Sequence, residues 1–264
     1  MRRRQIVVTG DRVQWRKVAP GQGIVESIEP REGVLARPDE NGRQRIMAAN
    51  LDLVVVTFAS VPAITDLALD AYLVAAEHLE IDAMLVMNKC DRPDTGSRGI
   101  RGRAERYAQA GYQTLNVSAH SGAGIDALRE ALSGRMSVLV GPSGVGKSSL
   151  IRALIPSADA AVGELVRQGE HGAHTTSASR LFFLPGGGHV IDSPGIREFG
   201  LWKLSAEDIA NGFPELRALR IGCRFRNCHH RGEPECAVAE ALASGELFEE
   251  RYVSYTGLLE LYGA

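Results

Sequence analysis

The sequence predicts an α/β fold: a parallel sheet wound with helices, with a small β-rich unit in front of it and a helical, cysteine-bearing unit behind. Three observations predict it. From Leu51 onward, apolar runs alternate with amphipathic stretches. One apolar run leads through a glycine-rich turn straight into a helix start at Ser149. Three of the four cysteines fall between Cys223 and Cys236. With 264 residues, 44% hydrophobic and 23% charged, the chain is ordinary for a globular protein and long enough for one large domain or two to three small ones. It has no stretch of 18 apolar residues, which excludes a membrane-spanning helix.

The opening Met1-Arg2-Arg3-Arg4 is followed by a strand-like run too short for a signal-peptide core. Four cysteines are too few for a disulfide framework, and their clustering points to metal in a reducing compartment. The expectation is a cytoplasmic protein. Net charge is −2, so the whole molecule is no general polyanion binder, but the charges are uneven. Arg2, Arg3, Arg4, Arg12, Arg16 and Lys17 face one acid, Asp11, and Arg217, Arg220, Arg224, Arg226 and Arg231 crowd near the cysteines. Two solvated faces would explain them. So would two grips on a polyanion.

Residues 1–48 hold short β-type runs, Ile6–Val8, Arg12–Trp15, Gly23–Ile28 and Gly33–Ala36, punctuated by glycine and proline as in a small sheet or barrel. The parallel strands expected next are Leu51–Phe58, Ala83–Met87, Thr114–Val117 and Met136–Val140. Between them, helices are expected over Leu67–His78, roughly Ile100–Ala110 and Ile125–Leu132, where Leu67, Ala71, Val74, Ala75 and His78 recur at helical spacing. Strands buried on both faces and joined by helices make a parallel sheet. Residues 157–179 break the alternation with a long polar loop. After about Leu204 the chain turns helical again and ends in Ala237–Gly245 and Leu247–Leu261.

Gly141-Pro142-Ser143-Gly144-Val145-Gly146-Lys147-Ser148 fits the phosphate-loop pattern G-x-x-x-x-G-K-[ST]. Chance supplies such a match in on the order of one chain of this length in a hundred. The pattern also needs a strand running in and a helix running out, and Met136–Val140 and Ser149–Leu154 supply both. Glycines let successive backbone N–H groups, that of Ser149 included, turn toward phosphate oxygens at the helix N-terminus. Lys147 reaches the β- and γ-phosphates, and the Ser148 hydroxyl is a magnesium ligand.

Asn88-Lys89-Cys90-Asp91 follows the strand Ala83–Met87, at the strand end where α/β folds bind ligands. Asp91 can accept hydrogen bonds from guanine N1–H and the exocyclic amine. Adenine lacks both donors and would leave the carboxylate unpaired. Asn88 would brace the loops, and the Lys89 stem would cover the base. After the next strand, Ser118-Ala119 can offer the Ala119 N–H to guanine O6. A guanine nucleotide is therefore expected rather than ATP.

Asp192-Ser193-Pro194-Gly195 follows the strand His189–Ile191 as D-x-x-G does in GTPases: Asp192 would hold magnesium through water, and the Gly195 N–H would sense the γ-phosphate. Upstream, Gly172-Ala173-His174-Thr175-Thr176-Ser177 is a natural switch. Thr175 and Thr176 are expected at the nucleotide, with Thr176 a magnesium ligand beside Ser148. Both base-reading motifs precede the phosphate loop, whereas in Ras-like GTPases they follow it. The expected fold is thus a circularly permuted P-loop GTPase domain, and the segment after Asp192 leads directly into the C-terminal region. Cys223-x4-Cys228-x-His230-x5-Cys236 supplies a Cys₃His set suited to one structural, tetrahedral Zn²⁺, with His229 a rival fourth ligand. Cys90 stands apart.

The permuted order, the His-Thr-Thr loop, the run Asp192-Ser193-Pro194-Gly195-Ile196-Arg197-Glu198-Phe199-Gly200-Leu201 and the cysteine pattern together resemble the small-ribosomal-subunit biogenesis GTPase family (RsgA, also called YjeQ), from about Gly10 to the C-terminus. The resemblance selects His230 over His229. It implies that residues 1–48 are an OB-fold-like RNA-binding unit, though a full OB-fold has five strands and this stretch holds three or four. A strand pair precedes the Gly10–Val13 segment in relatives, so either the start lies upstream or the barrel is incomplete. Residues 49–203 would be the GTPase domain and 204–264 the zinc-binding helical domain.

Ile196 stands where Ras-like enzymes carry a water-orienting Gln. The family shares this replacement, and the resemblance makes His174 the catalytic residue. It further implies a monomer that binds GTP and GDP, the 30S subunit and 16S rRNA, avoids membranes and is stimulated by the subunit. A permuted GTPase of large-subunit assembly, or an RNA-binding checkpoint that senses GTP without hydrolysing it, are the alternatives. Chelating zinc is expected to unfold the C-terminal unit and to leave GTP binding largely intact.

Overall fold

The computed structural model describes residues 6–38, 44–92, 100–156, 179–192 and 204–263. At its centre is a six-stranded sheet. Its strands are β5 (Leu53–Phe58), β6 (Asp82–Met87), β7 (Gln113–Asn116), β8 (Met136–Val140), β9 (Arg180–Phe183) and β10 (His189–Asp192), in the spatial order β7-β6-β5-β8-β10-β9. Neighbouring strands from β7 to β10 run parallel, and β9 pairs antiparallel to β10 at the edge. β9 is not among the strands expected from the sequence, being a four-residue edge strand with no buried position.

β5 is buried at all six positions. Because successive strand residues point to opposite faces, Val54, Val56 and Phe58 feed one core while Leu53 and Val55 feed the other. The helices α1 (Asp66–His78), α2 (Ile100–Gln109), α3 (Ile125–Ala131) and α4 (Lys147–Leu154) connect the strands within a residue or two of expectation. Thr65 caps α1 by accepting the Ala68 amide at 3.2 Å. The permuted order leaves β8, which carries the phosphate loop, in the middle of the sheet between β5 and β10.

The N-terminal region is not a closed barrel among the described residues. β1 (Val13–Ala19) pairs only with β2 (Gln22–Ile28), and β3 (Leu35–Pro38) only with β4 (Gln44–Ala48), plus one bridge from Thr9 to Ala48. A barrel needs alternate residues buried on its inner face. β1 and β2 bury neither face: Trp15, Ile24 and Val25 are all exposed. The second pair is anchored to the sheet instead. Leu35 and Ala48 lie in the core, buried Asn50 donates to the Gly10 carbonyl at 2.9 Å, and Asp11 pairs with Arg31 at 2.7 Å. The run Ile6–Val8 forms no strand.

The C-terminal region contains α5 (Ala206–Asn211), α6 (Pro214–Leu219), α7 (Ala237–Ser244) and α8 (Glu249–Tyr262), with a 3₁₀ turn at Arg220–Gly222. Ser205 and Asp208 form a capping box at the start of α5. One hydrophobic core holds Val54 and Val56 of the sheet, Leu69 and Leu73 of α1, and Phe213, Leu216, Val238 and Leu258 of this region. No helix among the described residues is long and apolar enough to cross a membrane.

Candidate nucleotide site and metal centre

The phosphate loop, the Asn88–Asp91 turn, the Ser118–Ala119 turn and Asp192 meet along one edge of the sheet, at the carboxyl ends of β8, β6, β7 and β10. Two loop glycines show why this sequence is needed. At Gly141, φ is +130° and a side chain would lie 2.0 Å from the Thr57 carbonyl oxygen. At Gly146, φ is +99° and a side chain would strike the Asn88 amide nitrogen at 2.3 Å. The loop therefore presses against β5 on one side and against the Asn88–Asp91 turn on the other. Lys147 Nζ donates to the carbonyls of Gly141 and Pro142 at 2.7 Å each. Ser143 and Gly144 are exposed at the tip, and Val145 is buried beneath it.

Asn88 is buried and holds two loops together. Its amide donates to the Val145 carbonyl at 2.9 Å, and its oxygen accepts the Ala119 N–H at 3.1 Å. The Ala119 N–H expected at guanine O6 thus points at the Asn88 side chain in this structure. Lys89, at a φ of +65°, donates from Nζ to the carbonyls of Val61 (2.8 Å) and Gly144 (2.6 Å). Asp91 is exposed, and its carboxylate accepts a hydrogen bond from the Ser118 hydroxyl. That bond holds the Asp91 carboxyl below the usual range. Ser118 is fully buried and accepts the amides of His120 and Ser121, which fixes its direction.

Asn88, Lys89, Asp91, Ser118, Ala119 and Gly146 line a cleft of about 760 Å³. Arg92, His120 and Arg152 line it too, as does Ser149. No motif names the first three, although each stands beside one: one residue after Asp91, one after Ala119, and five after Lys147. Asp192, at the end of β10, lies beside Lys147 and Ser148 of the phosphate loop. Burial pushes its carboxyl up, opposed by Lys147, Arg180 and a hydrogen bond from Ser148. A half-buried carboxylate touching the phosphate-loop hydroxyl and facing Lys147 suits a magnesium site. His174, Thr175, Thr176 and Gly195 lie outside the described residues.

The ligand atoms of Cys223, Cys228, His230 and Cys236 all lie within 4.8 Å of one another. His230 Nδ1 is 3.5 Å from Cys223 Sγ and 3.4 Å from Cys236 Sγ, and those two sulfurs are 4.0 Å apart. A tetrahedral zinc ion with bonds of about 2.0–2.3 Å spaces its ligands about 3.5–3.8 Å apart, so the donor set fits one Zn²⁺. His230, not His229, faces the thiols. Burial and the neighbouring Cys236 and Cys223 push the Cys228 thiol up to about 12. Cys90 is not among them.

A family model described as the RsgA GTPase matches residues 28–202. The chain belongs to the RsgA GTPase family. A Pseudomonas putida small ribosomal subunit biogenesis GTPase RsgA is 45% identical over 96% of this chain and 74% of its own length. The Pseudomonas aeruginosa protein of the same name is 46% identical over 96% and 75%. Among solved structures, YjeQ from Thermotoga maritima superimposes with a TM-score of 0.79 at 31% identity, covering 98% of this chain and 86% of that one. YloQ, described as a circularly permuted GTPase, gives 0.76 at 27% identity, covering 98% and 82%. The RsgA fold seen here is thus the permuted α/β GTPase fold that the motif order implied.

Proposed function

We propose that this chain is a Mg²⁺-dependent GTPase that binds the 30S ribosomal subunit late in its maturation, is stimulated by it, and leaves after hydrolysis. The observation that carries the reading is the convergence of Asn88, Asp91 and Ser118 with Lys147 and Asp192 on one sheet edge in a chain of the RsgA family. Asp91 reads guanine, Asn88 and Lys89 hold the base-reading turn against the phosphate loop, and residues 141–149 cradle the phosphates. Ser148 and Thr176 would hold the magnesium, with Asp192 behind its water. Bound magnesium neutralises charge on the β- and γ-phosphates. Position 196 is isoleucine, so water orientation falls to His174. A site without the usual Gln is slow until a partner orders the loop.

We divide the labour at residues 48 and 204. The β1–β2 hairpin offers Trp15, whose ring lies against Gly23, with Arg12 and Lys17 exposed beside it. Such a surface suits stacking of single-stranded rRNA bases and phosphate contact, as for 16S rRNA. The Cys₃His centre holds its knuckle with one Zn²⁺ and keeps the C-terminal helices in place. The protein works in the cytoplasm as a monomer.

The base assignment is tested by Asp91→Asn. Preference should move from GTP toward XTP by at least about a hundredfold, and unchanged selectivity in competition binding rejects it. Comparing GTP turnover with purified 30S and 50S separates small-subunit from large-subunit action. Single-turnover hydrolysis with the subunit present separates an enzyme from a non-hydrolysing sensor.

A further inference from the structure

Helix α8 touches the metal knuckle with one side and the GTPase domain with the other. Toward the knuckle, the Tyr252 and Tyr255 hydroxyls donate to the backbone carbonyls of His230 (2.7 Å) and His229 (3.0 Å). Toward the sheet, Arg251 is buried to 2% exposure. Its guanidinium pairs with Asp70 of α1 and with Glu215 of α6, and lies 4.5 Å from the Phe213 ring centre. Asp70 is fully buried and also accepts the Tyr107 hydroxyl of α2 at 2.7 Å.

From α1 the contacts continue to the nucleotide site. Asp66, the first residue of α1, pairs with Arg103 (2.7 Å) and Arg106 (3.1 Å). Arg103 also holds the Ile64 carbonyl at 2.9 Å, and Arg106 reaches Glu250 of α8 at 3.5 Å. Three residues earlier, the Val61 carbonyl takes one bond from Lys89 Nζ, whose second goes to Gly144 of the phosphate loop. Buried charges of this kind are unforgiving. Removing one partner strands the other without solvent, whereas replacing the whole set by apolar groups is tolerated.

We propose that α8 is a clamp through which metal binding at the Cys₃His knuckle stabilises the guanine-nucleotide pocket, so that the two sites form one cooperative unit and not two independent modules. The proposal rests on the zinc reading of the knuckle and revises the expectation that GTP binding survives chelation intact. Linkage makes the effect reciprocal: whatever the metal adds to nucleotide affinity, the nucleotide adds to metal retention.

The test uses the full chain, with zinc content measured and a fluorescent GDP analogue bound, heated while helix content and nucleotide release are followed together. The two midpoints should coincide and fall together by on the order of 10 °C on chelation. In Arg251→Met, zinc content should stay at one per chain while the nucleotide-release midpoint ceases to respond to chelation. A wild-type release midpoint that ignores verified zinc loss overturns the proposal, as does an Arg251→Met protein that responds like wild type. If Arg251→Met does not fold, Tyr252→Phe with Tyr255→Phe removes only the two bonds to the knuckle and should uncouple the midpoints in the same way. Native protein with no zinc rejects the metal reading by itself. That outcome overturns the proposal through its premise, whereas a release midpoint that ignores verified zinc loss overturns the clamp and leaves the metal reading standing.

Discussion

Residues 1–17 and the C-terminal region look alike in the sequence, each a cluster of basic residues, and their described parts differ in the folded protein. In the C-terminal cluster, Arg217 pairs with Glu77, Arg220 with Glu207, Arg224 with Glu235 and Arg231 with Glu260, which leaves Arg226 without an ion pair among the described residues. From Leu204 to the end the chain carries six arginines and no lysine against ten acidic residues, a net charge of −4 with histidines neutral. On the hairpin, Arg16 pairs with Glu26 across the strands, but Arg12 and Lys17 have no such partner among the described residues and flank an exposed tryptophan. A local count of basic residues therefore overstates the C-terminal region as a polyanion grip. The arginines there serve mainly to tie elements of the fold together.

The largest effect should come from breaking the C-terminal region where its charge is buried. Arg251→Met is expected to cost about 3–5 kcal/mol of stability, read from denaturant unfolding with the m-value checked. Charge reversal at Lys17 should change stability by less than about 0.5 kcal/mol. If both substitutions cost the same, the contrast between a structural and a solvated charge set is wrong.

A second expectation concerns binding. Arg12→Glu with Lys17→Glu should weaken association with 30S subunits and lower the salt slope by roughly one for each phosphate no longer neutralised. Arg224→Gln, which removes a residue already paired with Glu235, should do much less. Equal losses from the two regions, measured by sedimentation across a salt series, would restore the view of two equivalent grips. A more modest effect than that of Arg251 is expected at the cap of α5, where Ser205→Ala should cost about 1 kcal/mol. The Ser205 hydroxyl and amide hold the Asp208 carboxyl below its usual value. This contribution is therefore present above the ordinary carboxylate range and lost as pH falls through the lowered value.

The sequence was most legible where local pattern and global fold agree. Leu53–Phe58 reads as a fully buried strand because only Thr57 interrupts its apolar run, and a strand of that kind needs cover on both faces. Asn88, Asp91 and Lys147 were legible because their chemistry demands fixed spacing after a strand. The Cys₃His set was legible for the same reason. What escaped notice involves partners far apart in sequence. Asp70 and Arg251 are 181 residues apart and Glu77 and Arg217 are 140 apart, and nothing in either neighbourhood marks the partner. The strand Gln44–Ala48 escaped because its outer half is polar and exposed. The hairpin was legible as strands, while closure into a barrel depends on which strands pair, and among the described residues β1 pairs only with β2.

The proposed function makes this pocket a slow GTPase that the small ribosomal subunit accelerates. Its most direct test is steady-state GTP turnover by the purified chain alone, with 30S subunits and with 50S subunits. Stimulation of an order of magnitude or more by 30S and none by 50S is the expected result. Equal stimulation by both, or by neither, would contradict it.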